Sequence, residues 1–272
     1  MRNLLPLLFV SLGMTSCFVP HNAQPLVDTG VGVVSQYNFR GLPYDDKGAL
    51  QGDVTVAMPT SRENGIVALN IFGNMALSND NTGGVLGSDN SREFSRTDFT
   101  VSYTEPRENY DLTVGVTHYT FPGAGAPMMS MYSGYSYTGA STSQLFASAS
   151  FDYLDLSPTI DIFFDFDAAG GFYINTHCSR TYEWRDTTWF EAGANLAFAD
   201  GGYSEEYYGN DTTTVADLGA RGGIVHQYNE NTTLSANLNF STLPDGALSN
   251  GLDMAGLDTT NVWLGLSAAW AW

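Results

Sequence analysis

What this chain lacks narrows the field first. After roughly the first twenty residues no apolar run approaches the ~18 residues that a membrane-spanning helix requires. A bundle of membrane-spanning helices is therefore excluded. Positive charge is scarce: 10 Lys and Arg stand against 29 Asp and Glu, for a net charge of −19. Phosphate contacts depend on Lys and Arg, so nucleic acid is not an expected partner. An acidic protein that attracts cations is the natural inference. Cysteine is limited to Cys17 and Cys178. Once Cys17 is lipidated or removed, Cys178 has no partner for a disulfide and reads as a small apolar side chain. Charged residues of both signs make up only 14% of the chain, against ~25% in soluble domains. Internal repeats and low-complexity tracts are missing as well.

What is present points one way. Glycine (29), tyrosine (15) and phenylalanine (16) are abundant, and apolar residues alternate with polar ones rather than clustering. The last thirteen residues show it best. Thr260, Val262, Leu264, Leu266, Ala268, Trp270 and Trp272 alternate with Asn261, Trp263, Gly265, Ser267, Ala269 and Ala271. This is a period-two strand with one apolar face and an aromatic end. In water such an edge invites aggregation; in a transmembrane β-barrel, strands of about 9–11 residues face lipid on one side. A large soluble β-sandwich is the competing fold. A final aromatic strand also resembles the signal that hands outer-membrane proteins to their insertion machinery, with Trp270 and Trp272 as its rings.

Residues 1–24 read as an export signal, with Arg2 ahead of the apolar stretch Leu4–Leu12. Met14-Thr15-Ser16-Cys17 resembles a lipobox, which makes Cys17 a lipidation candidate; cleavage near Ala23 or Gln24 is the alternative. Residues 25–272 are expected to form a single outer-membrane β-barrel domain.

Alternation predicts twelve strands: Val27–Arg40, Ala49–Met58, Gly65–Ala76, Glu93–Thr104, Asn109–Phe121, Gln144–Leu154, Thr159–Asp167, Phe172–Glu183, Thr188–Ala199, Thr214–Gln227, Thr232–Thr242 and Thr260–Trp272. A thirteenth candidate, Met129–Tyr137, is assigned to a long loop, because bacterial single-chain barrels have even strand numbers and short periplasmic turns. The turns are then 59–64, 105–108, 155–158, 184–187 and 228–231. The external connections 77–92, 122–143, 200–213 and 243–259 are long and rich in Gly, Asn, Asp and Ser. The fold expected is an all-β antiparallel transmembrane barrel of twelve strands.

With the apolar face toward lipid, Tyr37 and Phe39 of the first strand fall on the lipid side. The opposite face carries Arg40, Asp53, Arg96, Asp98, Asp111, Asp152, Asp161, Asp165, Asp167, Glu191, Asp217 and Arg221. Acids far outnumber arginines among these pore-lining candidates. Two readings stay open: a lattice in which arginines pair with acids and stiffen the barrel, or a cation-attracting constriction. Phe72, Phe146, Phe163, Tyr173 and Trp263 also point inward and favour a filled interior.

Hydrolytic chemistry needs His beside Ser or Asp. His118 and His226 face lipid near strand ends, and only His177 points inward, without a hydrolase motif around it. No enzymatic activity, cofactor or metal is expected. Asp80, Asn81 and Asp89, or Asp45 and Asp46, offer oxygen ligands but no EF-hand spacing. The segment Gly201–Asn210, rich in Gly and Tyr, is either a surface for sugar or a partner protein, or a packed loop cover.

Ser35-Gln36-Tyr37-Asn38-Phe39-Arg40-Gly41 resembles the Tyr-x-Phe-Arg-Gly signature of the TorF-like porin family of bacterial outer membranes. Tyr110–Gly115, with Tyr119-Thr120-Phe121-Pro122-Gly123 after it, is similar to that group's fifth strand. Ser157–Thr159, Phe164–Asp167 and Gly171–Tyr173 are similar to uncharacterised outer-membrane barrels of related type. The resemblance implies location and architecture: outer-membrane lipids, the barrel insertion machinery and small solutes as partners. The leading expectation is a channel for small neutral or cationic solutes. The alternative is a non-conducting structural or adhesive barrel, and a soluble surface lipoprotein is a third reading.

Overall fold

In a computed structural model, which describes residues 25–60, 65–78, 94–121, 141–151, 156–254 and 257–272, the chain closes into a barrel. The wall comprises β1 (Leu26–Val34), β4 (Ala49–Pro59), β5 (Ile66–Ala76), β6 (Phe94–Pro106), β7 (Tyr110–Thr120) and β8 (Ser141–Phe151). It continues through β9 (Thr159–Asp165), β10 (Gly171–Arg185), β11 (Thr188–Ala199), β12 (Thr214–Asn229), β13 (Thr232–Thr242) and β14 (Thr260–Ala271). Between β1 and β4 a separate hairpin forms from β2 (Tyr37–Phe39) and β3 (Leu42–Asp45). Two short helices, α1 (Gly201–Tyr208) and α2 (Gly246–Met254), sit in the connections after β11 and β13. All pairings in the wall are antiparallel, and β1 pairs with both β4 and β14, which closes the ring at twelve strands.

The period-two pattern dictates the two surfaces. On β14, Val262, Leu264 and Leu266 are 60%, 60% and 58% exposed, while their neighbour Asn261 is buried. The same holds for Leu69 and Ile71 on β5, Val101 on β6, Leu145 on β8 and Leu238 on β13. A belt of exposed Val, Leu, Ile and Phe around a closed barrel is a lipid-facing surface. The transmembrane β-barrel with twelve strands is thus as expected. The turns after β4, β6, β8, β10 and β12 lie at one end, the short-turn end, and the connections carrying the hairpin and both helices lie at the other, called here the loop end, together with the turn between β9 and β10.

Two expectations need correction. The first strand does not run from Val27 to Arg40: it stops at Val34, where Ser35 is tied to β14 by Ser35 N–H to Leu264 O (2.8 Å) and Leu264 N–H to Ser35 Oγ (3.0 Å). The chain then leaves the wall. Tyr37 and Phe39, expected to face lipid, are 2% and 9% exposed in an interior core. The connections 200–213 and 243–259 are not purely extended loops. Asp200 caps α1 by accepting the Tyr203 N–H (2.9 Å), and Gly209 ends it at φ 79°, the left-handed terminus that glycine favours. The packed-cover reading of Gly201–Asn210 holds, since Tyr203, Ser204 and Tyr208 are buried. Cys17 and residues 1–24, Asp80, Asn81, Asp89, Asp152 and Met129–Tyr137 lie outside the described residues.

The buried apolar core sits inside the barrel at the loop end. It joins Tyr37, Phe39, Leu42 and Tyr44 of the hairpin to Tyr119, Tyr173, Tyr203, Tyr208, Leu243, Leu248 and Leu257.

Closure rests on the last strand. β14 pairs with β1 from Asp28↔Ala271 to Val34↔Gly265, and Trp272 N–H donates to Val27 O (2.9 Å). Deleting Trp270–Trp272 removes the pairing of Thr29 and Thr232 with Trp270 and leaves backbone groups unpaired in hydrocarbon, each costing about 2 kcal/mol or more. The truncated chain is expected to be exported but not to assemble, seen as loss of the heat-modifiable folded band in outer-membrane fractions. The control is Trp184→Ala with Tyr228→Ala, which removes exposed rings from strands without breaking a ladder and should assemble normally.

Candidate functional site

The loop-end mouth of the barrel is filled from within. The hairpin starts between β1 and β4, crosses the lumen, and meets side chains from nearly every strand around the ring. Its two-residue turn, Arg40-Gly41, has φ of 53° and 82°, as a type I′ hairpin requires at both central positions. Gly41 is needed there, since a Cβ would press on Leu243 Cδ1 (3.1 Å) and Ala216 O (3.2 Å). Arginine at positive φ costs about 1–3 kcal/mol, so its side chain must be held.

Arg40 is held without a carboxylate. Its guanidinium lies 4.4 Å from the centre of the Phe163 ring, 4.6 Å from Tyr173, 4.9 Å from Phe39 and 5.4 Å from Tyr203. Nη2 donates to Gln144 Oε1 (2.8 Å) and Nη1 donates to the Tyr203 hydroxyl. Burial pushes the Tyr203 phenol up to about 12, so it accepts as a neutral hydroxyl. Desolvated cation–π contacts are worth about 2 kcal/mol, enough to offset the turn's strain.

Arg96 forms the second clamp. It binds Asp98 through both ends of its fork (2.7 and 2.5 Å), donates to the Tyr37 hydroxyl (2.5 Å), and lies 3.8 Å from the Phe39 ring centre. Tyr119 completes the sandwich at 4.7 Å. The expectation that arginines and acids form an inner lattice is therefore met at this pair, with the hairpin aromatics inserted into it.

Asp165 organises the third set of contacts. It accepts from Thr142 Oγ1 (2.8 Å), Gln144 Nε2 (3.0 Å), Tyr207 OH (2.8 Å) and the backbone N–H of Ala168 (2.9 Å). Because Gln144 also accepts from Arg40, a continuous relay runs from the hairpin tip through β8 and β9 to α1. At the hairpin's other end Asp45 accepts from Asn74 Nδ2 (2.7 Å) and Ser95 Oγ (3.0 Å). Gln36 Nε2 donates to Asn261 Oδ1 (2.5 Å). Burial raises the Asp45 carboxyl above its usual range, against the opposing hydrogen bonds from Ser95 and Asn74.

Below the plug, toward the short turns, the inner wall carries small polar residues together with the bulky, buried rings of Phe146 and Trp189. Thr55, Asn70, Thr100, Ser148, Asn175, Ser235, Asn237 and Ser267 are half-buried there. The remaining sequence-predicted residues distribute as follows. Asp53 lies against Gly30 on the inner face of β4, and Asp111 is buried at the start of β7. Glu191 and Arg221 form an ion pair whose arginine lies over Gly193. Asp217 accepts from Asn195 Nδ2 (2.9 Å) and Ser241 Oγ (2.6 Å). Asp161 Oδ2 is 3.3 Å from His177 Nδ1, and no hydroxyl or thiol among the described residues hydrogen-bonds that ring.

Two of the predicted positions differ. Arg40 is interior, but on the plug tip rather than on a wall strand. Asp167 is not part of the inner face: β9 ends at Asp165, and Asp167 is exposed in the turn that follows, with its N–H on Asp165 Oδ1 (3.2 Å). Trp272 is 73% exposed at the short-turn end. The residues that sequence reasoning missed are the hairpin itself and Gln144. The Arg40-Gly41 turn and Pro43 are the signals that mark the hairpin, as the Asp200 and Gly209 caps mark α1.

No protein-family model matches the chain, and no curated protein matches it. Solved structures do. The barrel is similar to an outer membrane channel from Pseudomonas putida F1, with a TM-score of 0.54, 8% identity, and coverage of 92% of this chain and 96% of that one. The NanC porin gives a TM-score of 0.48 at 11% identity, over 90% of this chain and 98% of that one. The KdgM porin, solved in complex with disordered oligogalacturonate, gives 0.46 at 6% identity with the same coverage. At these identities the likeness is one of fold.

Two outcomes follow from the clamps. Arg96→Ala strands Asp98 as an uncompensated interior charge, a loss of about 3–5 kcal/mol. The hairpin amides of residues 36–46 should then lose hydrogen-exchange protection, while the barrel keeps its heat-modifiable migration. For Asp45, the docked hairpin has the higher pKa and so binds more protons than the released one. Docking is therefore strengthened as pH falls through the docked value and weakens as pH rises above it. Protection of residues 36–46, corrected for intrinsic exchange, should increase as pH is lowered from neutral toward the ordinary carboxylate range, and Asp45→Asn should flatten that dependence.

Proposed function

We propose that the protein is a channel of the bacterial outer membrane for small neutral or cationic solutes, with its short turns in the periplasm and its external mouth gated by the β2–β3 hairpin. One observation carries this reading. The plug is not continuous with the wall ladder but is held by discrete polar clamps above a lumen whose wall mixes small polar residues and acids with a few aromatic rings. Arg96 neutralises Asp98 and Arg221 neutralises Glu191; Asp53 and Asp161 on the inner wall keep the lumen negative. Cations gain from that potential and anions lose. The likeness in fold to an outer membrane channel supports the assignment of class. So does the resemblance to TorF-like porins, whose signature here forms the plug tip.

The same reading takes residues 1–24 as an export signal, with Cys17 as a lipidation site, and residues 25–272 as one barrel domain. Trp270 and Trp272 present the insertion machinery with its terminal aromatic strand. A non-conducting surface barrel is the second reading, favoured by the near-complete burial of Tyr37, Tyr203, Asn74 and Gln144 across the mouth.

Planar-bilayer recording separates the two. The intact protein should show brief, cation-preferring openings. Replacing residues 36–46 by a short Gly-Ser linker should raise the open conductance several-fold. Asp53→Asn with Asp161→Asn in that background should reduce the cation preference. A hairpin-replaced barrel that folds, inserts and stays silent would reject the channel and leave the structural role.

A further inference from the structure

The arginine at the plug tip sits in a pocket that the plug does not build. Of the four rings around the Arg40 guanidinium only Phe39 belongs to the hairpin. Phe163 stands on β9, Tyr173 on β10 and Tyr203 on α1, with ring centres 4.4, 4.6 and 5.4 Å away. The two hydrogen-bond acceptors, Gln144 Oε1 (2.8 Å) and the Tyr203 hydroxyl, also lie outside the hairpin. These groups fix one another. Tyr173 packs on Phe163 and Tyr203 with centroids 6.3 and 5.3 Å apart, and Tyr203 stacks on Tyr207 at 4.2 Å. Gln144 is fully buried, and its Nε2 donates to Asp165 Oδ2 (3.0 Å), which aims Oε1 at the cation. None of these contacts runs through the hairpin, so a preorganised cage remains when the tip withdraws.

Arg40 is also the interior arginine easiest to exchange. Arg96 and Arg221 are tied to Asp98 and Glu191. Arg40 is held by rings and neutral oxygens, and its backbone is strained at φ 53°. Its withdrawal breaks no ion pair among the described residues and relieves that strain. We propose that the cage is a recognition site for an alkylguanidinium cation, that Arg40 is its tethered occupant, and that a free guanidinium solute displaces Arg40 and releases the hairpin tip. Chemistry selects this class. A flat cation fits against these rings, and the N–H groups of one fork reach an amide oxygen and a phenol at once; an ammonium has neither the flat face nor the fork. A solute that binds only the vacated cage favours the released tip by mass action. Release of the tip as a gating event rests on the channel reading; occupation of the cage does not.

The test vacates the cage in the full barrel. Arg40→Gly removes the side chain and suits the positive φ of the turn, while the Arg96 and Asp45 contacts keep the hairpin docked. The barrel with residues 36–46 replaced by a Gly-Ser linker is a second vacated form, and heat-modifiable migration reports that both are folded. Agmatine is titrated into each by calorimetry in detergent micelles, with putrescine, the diamine of equal charge without the guanidinium, as control. Both variants should bind agmatine at a single site and putrescine about tenfold more weakly or worse, the loss expected for one hydrogen bond to a charged group. Adding Gln144→Leu to Arg40→Gly should weaken agmatine binding by a similar factor. In the parent, agmatine but not putrescine should lower the hydrogen-exchange protection of residues 38–42. Folded variants that bind neither compound, bind the two equally, or are indifferent to Gln144→Leu overturn the site. Unchanged protection in the parent, at agmatine concentrations that saturate the variants, overturns the displacement. A barrel that binds agmatine and stays silent in bilayers sinks the channel and keeps the cage; one that conducts without binding agmatine does the reverse.

Discussion

The structure depends on the cost of an unpaired backbone group in hydrocarbon. In lipid no water satisfies a free N–H or C=O, so the sheet has to close on itself. Closure means that the last strand must find the first, and the register from Asp28↔Ala271 to Val34↔Gly265 is where it does. It also fixes strand number, and with it the width of the interior. Eight strands make an interior that side chains fill; sixteen leave an open pore. Twelve fall between, too wide for wall side chains alone to close. The β2–β3 hairpin and α1 supply the missing volume at one end and leave the mixed wall of small polar residues and rings below.

That division explains where the polar chemistry sits. A hairpin inside a barrel has two kinds of surface to satisfy, aromatic and backbone-polar, and arginine serves both. Arg96 and Arg40 each stack on rings while their N–H groups reach hydroxyls, amides or a carboxylate. Lysine offers a point charge without the flat face or the fork, so neither position tolerates it equally. The positive φ at Arg40 has the same origin: the tight turn sets the backbone, and the aromatic cage fixes the side chain that the turn would not otherwise select. Strain at the tip and burial of the clamps tie the plug's contacts together, because loss of one contact exposes the next.

The barrel was legible in the sequence because lipid and lumen impose alternation strictly. All twelve wall strands were located by parity, and the even count excluded Met129–Tyr137 from the wall. The plug was not legible for the same reason. Tyr37 and Phe39 continue the period-two pattern in phase with Val31 and Val33, and a hairpin strand inside the lumen alternates just as a wall strand does. Parity says that two faces differ; it does not say which solvent each one meets. The break at Ser35-Gln36 and the turn residues Arg40-Gly41 held the information, but only as local punctuation. Asp167 failed similarly, since a turn after Asp165 is invisible to an alternating count. Gln144 gave no signal, because its role comes from a partner distant in sequence, Arg40, 104 residues away.

The distribution of cations ties the two faces together. Among the described residues the arginines of the wall and plug fall into two groups: Arg40, Arg96 and Arg221 inside, Arg180 and Arg185 outside. Arg96 and Arg221 are each paired with an acid, whereas Arg40 is held by rings and neutral groups and keeps its charge at the plug tip. The exterior pair lies on β10, toward the short-turn end. Among the described residues the interior arginines thus hold the plug and offset two of the inner acids. The acids are left to shape the lumen. In the proposed channel, selectivity is then set less by which acids are present than by which of them already have an arginine.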